Sequence, residues 1–474
     1  MEKTLAMIMA GGKGSRLVPL TCHRAKPSAP FGGRYRIIDF VLSNFVNSGY
    51  RNIYVLTQYM ASSLISHLNR TWNLQGLGET IEVVPAQMRM GDHWYRGTAD
   101  SIYQNLNLIR DAKPNNVAIF GGDHIYKFAI DQMEKQHVDT EADLTVAAFP
   151  VPIEEASQFG VIQIDENLRI IGFQEKPDNP SPMPNDPGMC LVSMGNYFFK
   201  ANVLEKALIE DADDPTSAHD FGHNIIPKLV DEGLDVRVYD FSKNRIPGDP
   251  ENAKSYWRDV GTIESYFQAN MELRSALPTL NMYNRQWRIR TAQRDYPPVR
   301  FVKHTGHFPN VDIIDSLICQ GSIVSCDVMQ ESLVGYDCFI HAGAVVKSSI
   351  IFSGCDVGSN ARITRVIMDK NCTIEPGVVI GEDIEADRKR FPFITESGIV
   401  VLPKGTNVPL KGPIEFTEDM AFLLERDKTA KEMIASFKGT YKKAKGKKHS
   451  HDSSGPRYNA YGPGALKAGA QESD

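Results

Sequence analysis

The sequence predicts an α/β protein in which a Rossmann-like, mostly parallel sheet with helices on both faces precedes a left-handed parallel β-helix domain. Two patterns carry this prediction. Short apolar runs alternate with helical periods over the first 270 or so residues, and aliphatic residues recur at every sixth position from about residue 310. The chain has 474 residues, too many for one ordinary domain. We expect a first domain at 1–275, a linker at 276–306, a β-helix at 307–402 and a C-terminal extension at 403–474.

The first domain reads as strands alternating with helices. The apolar runs predict strands at 5–10, 53–57, 81–84 and 117–120. Helical spacing predicts one helix from Ile37 that ends at Gly49, and another through Ile102, Leu106 and Ile109. Continuous apolar strands are typical of a parallel sheet covered on both faces. Ligands collect at the carboxyl ends of such strands, so we expect a site in the loops after residues 10, 84 and 120.

The repeat near the C-terminus predicts coils with one inward aliphatic residue on each face. The residues at this spacing are Val328, Val334, Ile340 and Val346, then Ile351, Val357 and Ile363, then Ile374 and Ile380. A parallel β-helix of a few coils has this period, whereas a β-sandwich is the weaker alternative.

The C-terminal extension shows a different pattern. An apolar stripe predicts a helix at 417–437 with Thr417 as its cap. Lysines 442, 443, 445, 447 and 448 then lead into a polar, glycine-containing stretch that we expect to be disordered. A basic segment of this kind either stays solvated or contacts nucleic acid or a partner, and the net negative charge of the whole chain favours a solvated tail.

The composition and net charge of the chain bear on which partners and which cellular location it has. The net charge is −6, and 42% of the residues are hydrophobic. This balance argues against a general nucleic-acid binder, which is usually basic. No stretch approaches the ~20 apolar residues of a membrane span, so we expect no membrane association. The seven cysteines form no C-x-x-C pair, and the N-terminus lacks a signal-peptide pattern, which predicts a cytoplasmic location.

The loop after the first strand carries the clearest chemical signal. It combines Gly11, Gly12 and Gly14 with the cations Lys13 and Arg16. The loop is neither a Walker loop nor a dinucleotide fingerprint, because the closing Gly-Lys-Ser/Thr and the third spaced glycine are both absent. Adjacent glycines let backbone N–H groups approach an anion closely. A tight turn is the alternative, but the two cations favour polyphosphate binding, and Lys26 adds a third positive charge.

Together with later motifs, this loop resembles the bacterial glucose-1-phosphate adenylyltransferase family of the sugar-nucleotidyltransferase superfamily. The matching motifs are Gly11-Gly12-x-Gly-x-Arg16-Leu17, Arg24-Ala25-Lys26-Pro27, Trp94-Tyr95-Arg96-Gly97-Thr98, Gly122-Asp123-His124, Glu175-Lys176-Pro177, Ser193-Met194-Gly195 and Trp257-Arg258-Asp259-Val260-Gly261. The glycine loop is common to the superfamily, and the later motifs are specific to the family. The resemblance runs from residue 5 to about 402 and implies that residues 1–275 form a nucleotidyltransferase catalytic domain.

The resemblance also implies a reaction and a set of site residues. The reaction joins ATP to α-D-glucose 1-phosphate, giving ADP-glucose and pyrophosphate for glycogen or α-glucan synthesis. The implied catalytic residues are Arg16, Lys26, Asp123 and Lys176, and Asp123 and Asp259 would bind Mg²⁺. The implied glucose 1-phosphate contacts are Tyr95, Gly160, Glu175, Lys176 and Ser193. The implied nucleotide contacts are Gly11, Gly12, Gly14, Arg16, Gln87 and Gly97.

Two departures from the family pattern bear on specificity and regulation. Met88 follows Gln87 where many relatives have a second glutamine, so the same chemistry with GTP or UTP stays an alternative. His23 stands where many relatives have Lys or Arg, and a neutral imidazole contacts anions weakly. We therefore expect an altered response to anionic metabolite effectors. The family analogy further implies a homotetramer, and a non-catalytic regulatory or scaffold relative is the remaining alternative.

Overall fold

The structure, a computed structural model, describes residues 3–72, 80–184, 186–302, 312–437 and 439–443. The strands of the first domain are β1 Thr4–Met9, β2 Pro30–Phe31, β3 Tyr35–Arg36, β4 Asn52–Thr57, β5 Thr80–Pro85, β6 Asn116–Gly121, β7 His124–Tyr126, β8 Leu144–Pro152, β9 Gly160–Ile164, β10 Ile170–Glu175, β11 Met189–Lys200, β12 Val236–Asp240 and β13 Trp257–Asp259. Its helices are α1 Ile38–Asn47, α2 Ser62–Thr71, α3 Thr98–Tyr103, α4 Leu106–Ala112, α5 Ile130–Asp139, α6 Ala201–Ala212, α7 Ile226–Asp231 and α8 Ile263–Glu272.

Within these described residues, nine strands form one sheet whose main order is β10-β9-β11-β6-β1-β4-β5. The strand β1 runs parallel to β4 and β6, and β4 runs parallel to β5. The carboxyl ends of these four strands therefore meet at one edge. The antiparallel strand β11 continues the sheet beyond β6 and pairs with β8, which is parallel to β12. The predicted Rossmann-like sheet is confirmed, with an antiparallel extension on one side.

Separate hydrophobic clusters cover the two faces of this sheet, as expected for strands with continuous apolar runs. One cluster contains residues of α1 and α5, and the other contains residues of α3, α4, α6 and α7. The sheet is thus a central layer between helices.

One prediction for this domain is wrong. The helical period through Ile102, Leu106 and Ile109 spans two helices, α3 and α4, instead of one. The break falls at Asn105, whose side-chain amide donates to Ser101 O (2.8 Å) and to the Tyr95 hydroxyl (2.9 Å). Hydrogen bonds from a side chain to the backbone compete with the continuous backbone hydrogen bonding of a helix.

In the part of the second domain that the structure describes, short parallel strands form three sheets. Its strands are β14 Arg300–Phe301, β15 Asp312–Ile314, β16 Leu317–Ile318, β17 Ile323–Val324, β18 Val328–Gln330, β19 Leu333–Val334, β20 Phe339–Ile340, β21 Val345–Lys347, β22 Ile350–Ile351, β23 Asp356–Val357, β24 Arg362–Thr364, β25 Val366–Met368, β26 Thr373–Ile374, β27 Val379–Ile380, β28 Val400–Leu402 and β29 Asn407–Val408. Successive coils stack in register, so Phe339 pairs with Asp356 and Asp356 pairs with Thr373. The predicted parallel β-helix is confirmed.

The aliphatic residues at six-residue spacing point into this β-helix with one exception. Eight of the nine are buried, but Val328 is only partly buried and its neighbour Met329 is buried instead. The helix α9, Ile384–Arg390, lies in an insertion before β28. The strand β29 pairs with β26 and continues the β-helix past residue 402.

The C-terminal extension packs back onto the β-helix. It contains β30 Ile414–Phe416, α10 Glu418–Arg426, α11 Lys428–Ser436 and β31 Tyr441–Lys443. Thr417 caps α10 by accepting from Met420 N at 3.3 Å, as predicted, but two helices replace the single expected one because Asp427 ends the first and caps the second. The predicted disordered stretch from residue 444 onward lies outside the described residues. Among the described helices, none has the length and apolarity needed to cross a bilayer.

Candidate active site

The glycine-rich loop lies directly after β1, at the carboxyl edge of the parallel strands. Gly14 has φ +67°, and a Cβ atom added there would lie 2.9 Å from Lys26 Cβ. The Thr21 hydroxyl donates to Gly14 O at 2.8 Å, and Leu17 N donates to the same oxygen at 3.0 Å. These contacts hold the loop against the segment that carries Lys26.

The side chains around this loop differ in exposure. Gly12 and Arg16 are exposed, whereas Gly11 packs against Gln58, whose Cβ would lie 3.2 Å from an added Cβ. Gln58 follows β4 and binds the backbone of Tyr95 through Oε1 (2.7 Å to N) and Nε2 (3.3 Å to O). Sequence reasoning missed Gln58, although its place at the end of a parallel strand is a signal that could have found it.

An acidic centre lies beside the loop. Asp123 follows β6, and Asp259 ends β13, which pairs antiparallel with β7 so that Asp259 lies opposite His124. The Lys26 ammonium donates to Asp259 Oδ1 at 2.7 Å and to Asp123 Oδ2 at 3.0 Å. Arg16 lies farther out, with its Nη2 atom 3.9 Å from Asp259 Oδ2. Four of the predicted residues therefore meet at one point.

The charges in this centre stabilise one another. Burial would lower the pKa of Lys26, but the carboxylates of Asp123 and Asp259 outweigh burial and raise it. Burial opposes ionisation of Asp123, yet Lys26 and His124 hold the pKa of this carboxyl well below its usual range. The centre thus holds a lysine cation facing ionised carboxylate at neutral pH.

A second group of predicted residues lies on β9 and β10. Gly160 and Glu175 pair directly across these two strands. Lys176 follows with φ +46°, a left-handed conformation that is uncommon for a residue with a side chain, and its ammonium contacts the Glu175 carboxylate. The side chain of Lys176 is 60% exposed, so it can reach a ligand. The structure therefore brings Gly160, Glu175 and Lys176 together.

Tyr95 and Ser193 were also predicted to contact the sugar phosphate. In the structure, both side chains form hydrogen bonds with other groups. The Tyr95 hydroxyl accepts from Asn105 Nδ2 at 2.9 Å, and the Ser193 hydroxyl on β11 accepts from Gly195 N at 3.2 Å. Both lie in segments distinct from Glu175 and Lys176, and their part in the site stays a prediction.

Comparison with known proteins identifies the chain's relatives. A family model described as "Nucleotidyl transferase" matches residues 5–276, and one described as "GlmU-like, C-terminal hexapeptide" matches residues 297–402. Glucose-1-phosphate adenylyltransferase 1 of Vibrio vulnificus (strain YJ016) is 49% identical over 409 residues, which are 86% of this chain and 100% of the relative. The enzyme of Anaeromyxobacter sp. (strain Fw109-5) is 48% identical over 411 residues, 86% of this chain and all of the relative. The Deinococcus radiodurans enzyme is 44% identical over 409 residues, 85% of this chain and 98% of the relative.

The chain belongs to the glucose-1-phosphate adenylyltransferase family. It is therefore a nucleotidyltransferase, and the resemblance read from its motifs is confirmed.

The acidic centre of this family member fits a divalent metal ion. Carboxylate oxygens of Asp123 and Asp259 and a ring nitrogen of His124 lie within 4.8 Å of one another. Two converging carboxylates attract a cation, and the Lys26 ammonium lies between them. Mg²⁺ is usually held by one or two carboxylates together with phosphate oxygens, so Asp123 and Asp259 suit it. His124 was not predicted, although it directly follows Asp123 in the sequence.

Two residues predicted to contact the nucleotide, Gly97 and Gln87, contact other protein groups in the structure. A Cβ atom on Gly97 would lie 2.2 Å from His219 O, so close backbone packing already requires glycine there. Gln87 is exposed, and its Oε1 accepts from Arg89 Nη2 at 3.1 Å. Their contacts with the nucleotide stay a prediction.

Proposed function

We propose that the chain transfers the adenylyl group of ATP to α-D-glucose 1-phosphate. A phosphate oxygen of the sugar phosphate attacks the α-phosphorus of ATP, and the bond from this phosphorus to the bridging oxygen breaks. The products are ADP-glucose and pyrophosphate. The observation that carries the proposal is the centre formed by Lys26, Asp123 and Asp259 beside the glycine-rich loop.

The chain's own groups bring two anions together. The attacking oxygen already carries negative charge, so no strong general base is required. Backbone N–H groups of the loop at Gly11, Gly12 and Gly14 hold the nucleotide phosphates, and Arg16 adds positive charge from an exposed position. Lys26 supplies a fixed charge near the reacting phosphate, since the raised pKa keeps its ammonium protonated.

The sugar phosphate is held by a different part of the site. Lys176 binds the phosphate through its exposed ammonium, and Glu175 accepts hydrogen bonds from sugar hydroxyls. Tyr95, Gly160 and Ser193 complete this set by analogy with the family. Holding both reactants in place makes the reaction effectively unimolecular, and this positioning contributes a large part of the catalysis.

We propose Mg²⁺ as the cofactor, bound by Asp123 and Asp259. When bound, the ion neutralises phosphate charge at the reacting group. The proposal is supported by the two converging carboxylates, because the single ammonium of Lys26 cannot offset the charge of both.

The nucleotide preference is the first point to test. We propose that Gln87 and the backbone at Gly97 read the adenine edge and favour ATP. Pyrophosphate release should be measured with ATP, GTP, UTP and dTTP in turn, each with glucose 1-phosphate and Mg²⁺. ATP is expected to give the highest kcat/KM. A higher value with GTP or UTP would overturn the base assignment, and no release with any nucleotide would overturn the function.

Assembly, location and regulation are further proposals. By family analogy we propose a homotetramer in the cytoplasm, and the seven free thiols support a reducing compartment.

We propose a weak response to anionic effectors, because the pKa of His23 is lowered to about 3 by burial and by Arg24, which leaves the imidazole neutral. Assays with fructose 1,6-bisphosphate, fructose 6-phosphate and pyruvate test this point. Strong activation by fructose 1,6-bisphosphate would contradict it.

A further inference from the structure

The helical pair of the C-terminal extension lies outside both family models, which end at residue 402 or earlier. Asp427 joins its two helices, α10 and α11. The Asp427 Oδ1 atom accepts from Ala430 N at 3.0 Å and so caps α11. Its side chain is only 6% exposed. This carboxylate is therefore held in a fixed position.

The helical pair and the segment that follows the glycine-rich loop contribute to the same hydrophobic core. Both belong to one continuous hydrophobic cluster, which also contains the interior of the β-helix. The extension contributes Met420, Ala421, Leu424 and Ala430 to the cluster, and the segment after the loop contributes Leu17, Val18, Leu20 and Cys22. The extension is thus packed onto the same core as the segment that follows the loop.

The second carboxylate oxygen of Asp427 faces the loop itself. Asp427 Oδ2 lies 3.6 Å from the ammonium of Lys13, which also lies 5.9 Å from the centre of the Tyr59 ring. The Lys13 side chain is 47% exposed, so this ammonium can turn toward a ligand while the carboxylate cannot follow. The extension therefore places a negative charge beside the loop that is proposed to hold nucleotide phosphates.

We propose that Asp427 competes with the phosphates of the nucleotide for the Lys13 ammonium and thereby weakens nucleotide binding. The inference rests on the proposed function, because it assigns the nucleotide to this loop. A bound triphosphate draws Lys13 away from Asp427, so part of the free energy of binding is spent on breaking this ion pair. The C-terminal extension thus contributes a residue that sets nucleotide affinity by acting through Lys13.

The test compares MgATP binding to the full chain with and without the Asp427 charge. Asp427→Asn removes the charge but keeps a capping oxygen, since Asn and Asp cap helices equally well. We expect the Kd of MgATP, measured by calorimetry without sugar phosphate, to fall about two- to fivefold, as for a half-exposed ion pair. The KM for ATP should fall similarly, while kcat and the KM for glucose 1-phosphate stay unchanged.

The matched control removes the same charge from the same helical pair. Asp419 is exposed on α10, so Asp419→Asn should leave the Kd of MgATP unchanged. Lys13→Met gives a second control, because Asp427→Asn added to it should no longer tighten binding. If Asp427→Asn fails to fold, Asp427→Ser carries the same test, since serine also caps helices.

The possible results test the competition at Lys13 and the proposed function separately. Unchanged or weaker MgATP binding by folded Asp427→Asn overturns the competition, even though the wild-type chain binds MgATP. Tightening that persists in the Lys13→Met background overturns the route through Lys13. A folded wild-type chain that binds no MgATP overturns the proposed function, and the inference with it.

Discussion

At the scale of single residues, Lys26 organises the candidate centre. Its ammonium lies between the carboxylates of Asp123 and Asp259, at 3.0 Å and 2.7 Å, and its side chain is only 7% exposed. A buried lysine is costly unless ionised partners surround it. The two carboxylates therefore stabilise Lys26, and Lys26 allows two like charges to lie close together.

The metal assignment predicts the effect of neutralising one carboxylate. Asp123→Asn keeps the size of the side chain but removes a charge, so we expect kcat for pyrophosphate release to fall about 100-fold or more. The thermal midpoint should show that the variant is folded. Asp249→Asn is the matched control, since Asp249 pairs with another buried lysine, Lys127 (3.4 Å), outside the centre. Near-normal activity of folded Asp123→Asn would refute the assignment.

His23 predicts a pH dependence of stability. Its side chain is 14% exposed, and burial followed by the charge of Arg24 lowers its pKa from 6.5 to about 3. Lys370 and Lys404 also lower this pKa, whereas Asp369 raises it. Between pH 6.5 and pH 3 the unfolded chain therefore binds a proton that the folded chain does not, so stability falls as the pH falls.

The size of this effect follows from the pKa difference. Between pH 7 and pH 5 the wild-type chain should lose about 2 kcal/mol more unfolding free energy than His23→Gln. Urea denaturation of both proteins at the two pH values measures the difference. Equal losses in the two proteins would show that His23 is protonated in the folded state.

At the scale of elements, the site is built from loops that follow parallel strands. The glycine-rich loop follows β1, Gln58 follows β4 and Asp123 follows β6. Because these strands are parallel, their carboxyl ends meet at one edge of the sheet and bring the three loops together. The order of strands therefore explains why residues far apart in the chain share a site.

Two glycines of the loop should respond differently to an added methyl group. Gly14→Ala forces a positive φ on alanine and places Cβ 2.9 Å from Lys26 Cβ, so we expect a loss of about 1–2 kcal/mol in unfolding free energy. Gly12 has no atom within 4 Å of an added Cβ and is the matched control, with an expected change within about 0.5 kcal/mol. Urea denaturation compares the two variants. Similar losses in both would mean that the Gly14 conformation is not what the loop requires.

At the scale of the whole molecule, a buried ion pair joins the two domains. Arg24 Nη2 of the first domain donates to Asp369 Oδ1 of the β-helix at 2.9 Å, and the two side chains are 4% and 0% exposed. Burial would raise the pKa of Asp369, but the charge of Arg24 lowers it. The pair lies beside the hydrophobic cluster that both domains share, which contains Phe40 and Ile367.

The buried ion pair between Arg24 and Asp369 predicts how substitutions at the domain junction change the unfolding free energy. Asp369→Asn leaves Arg24 buried without its counter-ion and should lower the unfolding free energy by about 3 kcal/mol. Arg24→Met combined with Asp369→Leu should cost less than this single change, because no uncompensated charge stays buried. Urea denaturation followed by tryptophan fluorescence and by circular dichroism measures both. A single variant no less stable than the double variant would contradict the role of the ion pair.

The sequence by itself determined the two architectures and the place of the glycine-rich loop. Apolar runs and the six-residue period are local patterns, and local patterns report the structure of their own segment. For this reason four strands of the first domain and eight of nine inward β-helix residues agree with prediction. The motif resemblance likewise identified the family, because motifs are short stretches of sequence.

Only the tertiary structure decided which of these segments touch. Lys26 reaches Asp123 and Asp259 across 97 and 233 positions of sequence, and no local pattern encodes that meeting. The same holds for Asp427, which contacts Lys13 near the other end of the chain. Asp427 lies in a segment for which the sequence predicted a single helix. Side-chain hydrogen bonds at Asn105 and Asp427 also interrupted two predicted helices. Such contacts depend on how distant elements pack, which a linear pattern does not record.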